Sequence, residues 1–259
     1  MIHVVTLSGG TASAVAASRV IERYSGEDIR LFFADTSWED EDLYRFLDDL
    51  EAYWEKKIDR FVDGRNPLEV AEQRRLIPNQ KRAPCSVALK VEPCVEFLAG
   101  LPKPVTLHLG LDITEQHRAA RPKHEYEKID GVSVDLPLLW KPPAFPPHRR
   151  VVESWGIKAP RLYDLGFPHN NCGGRCVKQG IAEWLRLKVT FPERFEQVAA
   201  WEEAQRAKGG ARANFGIARD QSGGKVVART LREIEAMADT AQISMMPSQE
   251  DNFACFCSY

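Results

Sequence analysis

The sequence predicts an α/β fold: a doubly wound parallel sheet followed by a helical, cysteine-containing C-terminal segment. Three observations carry this. Short β-branched apolar runs alternate with amphipathic stretches between Ile2 and Leu111, the pattern of a parallel sheet covered by helices on both faces. Each of three runs ends on glycine, hydroxyl or acidic residues, at Ser8 to Thr11, Asp35-Thr36 and Gly110 to Thr114. Such sheets bind ligands at the carboxyl ends of their strands. The third is the cysteine pattern, with four of six cysteines beyond residue 170, in two short segments.

The run Ile2 to Leu7 reads as a strand, Ser8-Gly9-Gly10 as a turn, and the alanine-rich Ala12 to Tyr24 as a helix. Ile29 to Ala34 predicts a second strand. From Asp40 to Trp54 an acidic-started helix follows, with Leu43, Phe46, Leu47, Leu50 and Trp54 on one face. Ile58 to Val62 predicts a third strand, Val87 to Leu98 a helical stretch and Pro104 to Leu111 a fourth strand. Between Leu136 and Pro147 five prolines predict an extended connector. Residues 1–140 are thus read as an α/β domain, and residues 141–259 as a helical segment packed on it. Within that segment Arg149 to Trp155 and Val177 to Phe195 read as helices, and Thr230-Leu-Arg-Glu233 is a capping box opening another.

Composition bounds the function classes. The 259-residue chain is 44% hydrophobic and 28% charged with a formal net charge of −2, which excludes a disordered chain and gives no global attraction to nucleic acid or membrane. Its basic clusters, Lys81-Arg82, Arg118 to Lys123 and His148 to Arg150, read singly as solvated surface. No apolar run approaches the roughly 20 residues of a membrane span, and Met1-Ile2-His3 opens no signal peptide, so a cytoplasmic protein is expected, with no membrane partner. In a reducing compartment the cysteines point to metal ligation or redox chemistry rather than disulfides.

A glycine pair between a buried strand and a helix lets backbone N–H groups approach an anion, and the helix N-terminus adds partial positive charge. Ser8, Thr11 and Ser13 add hydroxyl donors. Leu7-Ser-Gly-Gly-Thr-Ala-Ser13 resembles the PP-loop of ATP pyrophosphatases, usually Ser-Gly-Gly-x-Asp-Ser, with Ala12 in the Asp position. Asp35-Thr36-Ser37 is similar to the Asp-Thr-Gly element of the same superfamily, which includes the phosphoadenosine-phosphosulfate (PAPS) reductases. Arg82-Ala-Pro-Cys85-Ser-Val-Ala-Leu-Lys90-Val-Glu-Pro93 resembles the segment where a cysteine or cysteine pair precedes Lys-Val-x-Pro. Leu109 to Arg118 is similar to Gly-x-Arg-x-x-Glu-Ser-x-x-Arg, keeping Arg118 but placing Asp112 at the first Arg. The resemblance implies the adenine nucleotide alpha hydrolase-like arrangement and an adenine nucleotide, ATP or a relative, on Ser8, Gly9, Gly10, Thr11, Ser13, Asp35, Thr36 and Arg82. Magnesium would accompany the nucleotide, and Lys90 and Arg118 would be catalytic cations.

Tyr163-Asp-Leu-Gly-Phe167-Pro-His-Asn-Asn-Cys172-Gly-Gly-Arg-Cys176 resembles the second cluster-binding segment of iron-sulfur sulfonucleotide reductases, with one residue more between the cysteines. Glycines between thiolates let a loop wrap a metal. Cys94, alone on its helix, reads as a buried inert thiol. Cys85, Cys172, Cys176 and one of Cys255 or Cys257 are assigned to a 4Fe-4S cluster, with structural zinc the alternative because four thiolates suit it equally. The leading expectation is an enzyme that adenylates an acceptor for sulfur transfer. Its partners would be a tRNA, DNA or small-molecule acceptor and a sulfur donor protein. Two others stand beside it: reduction of a sulfonucleotide with Cys255 or Cys257 as nucleophile, and a zinc-stapled nucleotide-binding module without catalysis.

Overall fold

The computed structural model describes residues 1–140, 147–220 and 224–238. Five strands, β1 (Ile2–Leu7), β2 (Asp28–Asp35), β3 (Ile58–Val62), β4 (Val105–His108) and β5 (Val132–Asp135), form one sheet in the order β3-β2-β1-β4-β5. Every neighbouring pair is parallel, with β1 paired to β2 from Ile2↔Asp28 to Leu7↔Phe33 and to β4 from Ile2↔Val105 to Val5↔His108. The chain winds outward to β3, then returns to the other side of β1. The order therefore reverses between β1 and β4, and a ligand crevice opens at such a switch point.

The central strand is buried on both faces. Val5 packs with α1 (Thr11–Arg23) and α2 (Glu41–Trp54), whose Leu43, Phe46, Leu47 and Leu50 are fully buried. Val4 faces the opposite core with Cys94, Leu98, Leu107 and Tyr126. α2 begins at Asp40, which accepts the Asp42 N–H at 3.0 Å. After β3 come α3 (Pro67–Gln73), opened by an Asn66 capping box, and the short α4 (Pro84–Ser86). The expected Val87–Leu98 helix is divided: Val87–Val91 is a π-helical turn leading into α5 (Glu92–Ala99). Pro93 has no N–H to give the Leu89 carbonyl and its ring crowds it, which accounts for the widened turn.

β5 is a strand that the sequence reading passed over, being only four residues of Val-Ser-Val-Asp after α6 (Ala120–Tyr126). The proline-rich connector also differs from expectation at its start. Pro137–Leu139 forms a 3-10 turn, and Leu138 is buried with α1 in the core; residues 141–146 lie outside the described residues. Beyond it α7 (His148–Ser154) adds Val152 to the α1–α2 core, and α8 (Arg161–Asp164) precedes the cysteine loop.

The expected Val177–Phe195 helix is two helices, α9 (Ile181–Thr190) and α10 (Pro192–Ala207). Pro192 excludes the helical conformation at Phe191, which sits at φ −138° and ψ 71°. A small antiparallel pair, β6 (Ala218–Asp220) and β7 (Val227–Arg229), leads to α11 (Leu231–Met237), which starts with the expected capping box at Thr230. Trp184, Phe195, Leu231 and Ile234 from these helices share a core with Trp38, Leu68, Cys85 and Leu89. No helix among the described residues is long and apolar enough to cross a membrane.

Candidate functional site

The glycine loop closes on itself at the end of β1. Ser8 donates its N–H and its hydroxyl to Ser13 Oγ, both at 3.1 Å, and Ser13 Oγ donates to the Gly10 carbonyl at 2.9 Å. Gly9 has φ +78°, and a Cβ there would stand 2.3 Å from Leu43 Cδ1, so the backbone admits glycine alone. On the β4 side, a Cβ at Gly110 would come within 2.9 Å of Ser13 Cα. The loop is thus held between α2 and the β4 end, with the α1 N-terminus pointing into the crevice. That geometry is what an anionic group needs.

A second segment reaches the same loop. The Tyr163 hydroxyl accepts the Thr11 N–H at 3.3 Å, and Asn170 Nδ2 donates to the Gly9 carbonyl at 2.8 Å. Asn170 is 2% exposed and its Oδ1 is a buried acceptor with no hydrogen-bond partner among the described residues. Two residues on, Cys172, Gly173 and Gly174 stand in succession at φ 49°, 59° and 78°. A non-glycine residue held there is costly and marks a conformation imposed by its surroundings. The fold supplies them: Arg194 donates to the Gly173 carbonyl at 2.9 Å, and Arg175 donates to the Trp38 carbonyl at 2.9 Å while lying 4.3 Å above the Trp38 ring.

Cys85, Cys172 and Cys176 line one cavity together with Thr36, Lys90, Arg175 and Lys178. Cys172 donates to Cys176, and the positive charge of Lys90 and Lys178 adds to that bond in drawing the Cys176 thiol below its ordinary range; burial opposes it. Burial pushes Cys85 up to about 12. Lys178 is brought down to about 8 by burial, partly offset by Cys176 and reinforced by Arg118. Lys90 is buried, yet the Glu39 carboxylate 3.6 Å away and the three thiols more than offset the burial and hold its charge. Among the described residues, no group of three or more His, Cys, Asp or Glu side chains is already gathered to hold a metal ion.

The site residues expected from the sequence therefore fall into two connected groups. Ser8, Gly9, Gly10, Thr11 and Ser13 form the glycine loop, and Lys90 joins Cys85, Cys172 and Cys176 at the thiol cavity. Thr36 lies between the groups, lining that cavity while donating to Glu39 at 2.9 Å. Asp35 is engaged by the Tyr44 hydroxyl at 2.9 Å and the Ser37 N–H at 2.8 Å. Arg118 pairs with Glu115 and sits within electrostatic reach of Lys178 and His169. Arg82 is exposed on the turn before Cys85, closed by the Asn79–Arg82 bridge. Cys94 is buried on α5, as expected, with burial raising its thiol to about 12. Cys255 and Cys257 lie outside the described residues. The sequence reading missed Glu39, Asn170 and Lys178; the polar His-Asn-Asn run before Cys172 was the signal for the second of these.

No family model matches the chain. It is 28% identical over 211 residues to an uncharacterized protein of Methanocaldococcus jannaschii, a match covering 78% of this chain and 41% of that protein. The chain thus spans about two fifths of the length of that curated relative. Among solved structures it is similar to the phosphoadenylyl-sulfate (PAPS) reductase of Candida auris in its phosphate complex, with a TM-score of 0.45 and 18% identity, covering 65% of this chain and 80% of that one. The α/β fold class rests on the sheet order and its parallel pairing.

Proposed function

We propose that the chain is a PAPS-reductase-like PP-loop enzyme that binds ATP or a related adenine nucleotide on Ser8 to Ser13 and adenylates an acceptor for sulfur transfer. One observation carries this reading. The segment 163–176 is bonded to the glycine loop through Tyr163 and Asn170, and it also brings Cys172 and Cys176 to Cys85 and the buried Lys90. A nucleotide on the loop and a sulfur-handling centre would then be neighbours.

The thiols fit a soft metal group. Thiolate donors select zinc or iron-sulfur clusters, and a buried ammonium beside them suits a group of net negative charge. Cys85, Cys172 and Cys176 would hold it, with Cys255 or Cys257 as the fourth ligand. When bound, an iron-sulfur group supplies soft iron sites for handling sulfur. In the adenylation, an acceptor oxygen attacks the α-phosphorus, the bond to the β-phosphate oxygen breaks and pyrophosphate leaves. The loop N–H groups and the α1 N-terminus stabilise charge on the phosphoryl oxygens.

The test is anaerobic purification followed by iron, sulfide and zinc analysis, with pyrophosphate release from ATP measured with and without tRNA. Iron and sulfide in near-equal amounts and acceptor-dependent release support the reading. Zinc without iron overturns the cluster, and sulfite formed from a sulfonucleotide replaces adenylation by reduction. ATP binding that Ser13→Ala leaves unchanged overturns the loop assignment.

A further inference from the structure

Thr36-Ser-Trp-Glu39 has the spacing of a helix capping box, yet neither end caps α2; Asp40 does that. The two side chains instead bond each other, and Glu39 turns inward. Its carboxylate is fully buried and, among the described residues, is held by three donors: the Thr36 hydroxyl at 2.9 Å, the Cys172 N–H at 2.6 Å and the Lys90 ammonium at 3.6 Å. No helix N-terminus or turn requires this bond to Cys172, which joins residues 133 apart in the chain. Cys172 is also the residue forced to φ 49°, so the bond from its N–H fixes the direction in which its side chain leaves the loop.

We propose that Glu39 is a positioning residue for the thiol centre: it fixes the Cys172 backbone and the Lys90 ammonium so that both face the shared cavity. The inference rests on the metal-binding part of the proposed function. Partners that orient the ligands of a metal typically contribute about 10- to 100-fold in metal affinity. Glu39 differs from the usual case in gripping the ligand's backbone rather than its side chain. Glu39→Gln keeps the volume, but its amide nitrogen faces at least one of three donors, so the Cys172 N–H or Lys90 loses its acceptor.

The measurement is a titration of the full-length reduced protein with cobalt(II) alone, reading the sulfur-to-cobalt charge-transfer absorbance. The wild type is compared with Glu39→Gln, Thr36→Val and Glu202→Gln. Glu202 is the internal reference, a buried carboxylate that accepts the Ile217 and Leu231 N–H groups, each at 2.7 Å, within the helical core. Its replacement perturbs folding by the same chemistry without touching the thiol cavity. Glu39→Gln is expected to weaken cobalt binding about 10- to 100-fold, Thr36→Val by a smaller factor in the same direction, and Glu202→Gln not at all. Should Glu39→Gln fail to fold, Thr36→Val against Glu202→Gln still decides the matter. Equal affinity in wild type and the folded variants overturns the positioning role while leaving the thiol centre standing. Wild-type protein that develops no charge-transfer band overturns the thiol centre itself, and the inference with it.

Discussion

Replacing Lys90 by Met tests the electrostatics of the thiol cavity directly. The ammonium stands 3.6 Å from a Glu39 carboxylate that is 0% exposed, and the lysine side chain is itself 9% exposed. At an effective dielectric of about 20, unit charges at that distance attract by about 4–5 kcal/mol. Much of this offsets the burial of the two charges. Removing one partner leaves the other buried and uncompensated, at a cost of about 3–5 kcal/mol, a large part of the roughly 5–15 kcal/mol by which a domain is stable. Glu39 keeps two other donors, so the lower end of that range is expected. In the double variant with Glu39→Gln the orphaned charge is gone, and the loss falls short of the two single losses combined, with a coupling of about 2 kcal/mol. Urea unfolding of metal-free reduced protein, followed by tryptophan fluorescence and extrapolated to water, gives each value. A Lys90→Met loss below about 1 kcal/mol, or strict additivity, refutes the buried-pair reasoning.

Gly110→Ala places a Cβ 2.9 Å from Ser13 Cα, a backbone atom that cannot swing aside; a stability loss of about 1–3 kcal/mol and weaker ATP binding by calorimetry are expected. Burial raises Glu202 from an ordinary 4.5 to about 7, its two backbone donors opposing the shift. The folded state therefore prefers the protonated acid, and stability falls as pH rises from about 4.5 to 7, by at most roughly 3 kcal/mol. Denaturant midpoints across that window should be flatter in Glu202→Gln. His108 moves the other way: burial brings it from 6.5 to about 4, against the pull of Asp135. Its neutral form hydrogen-bonds His3 at 2.9 Å in the sheet interior, so stability is intact above about pH 6.5 and is lost as pH falls toward 4, with a limit of roughly 3 kcal/mol. Thermal melts of His108→Asn should show a shallower acid limb.

Where the chemistry is local, the sequence was legible. The β1 bounds, the buried face of α2 and the Thr230 capping box follow from periodicity and end signals spanning a few residues. The glycine loop is readable for the same reason, since strand, turn and helix are consecutive. Val132–Asp135 was not readable, because four residues with two polar positions carry little periodicity; pairing with β4 makes them a strand. The divided helices at Val87–Ala99 and Ile181–Ala207 turn on single prolines, Pro93 and Pro192, whose effect depends on which carbonyl each would have met.

By itself the sequence determined the alternation of strands and helices, the anion-suited loop after β1 and the set of thiols available to a metal. These depend on backbone propensity, burial of apolar faces and side-chain chemistry, all encoded within short windows. Tertiary structure alone decided which groups meet. It brought Asn170 to Gly9, Arg175 to Trp38 and Glu39 to both Lys90 and Cys172, contacts between residues 51 to 161 positions apart. Such pairings leave no periodic trace in the chain. They arise because packing the C-terminal helices over the β2–α2 corner buries charged and polar groups that must find partners there.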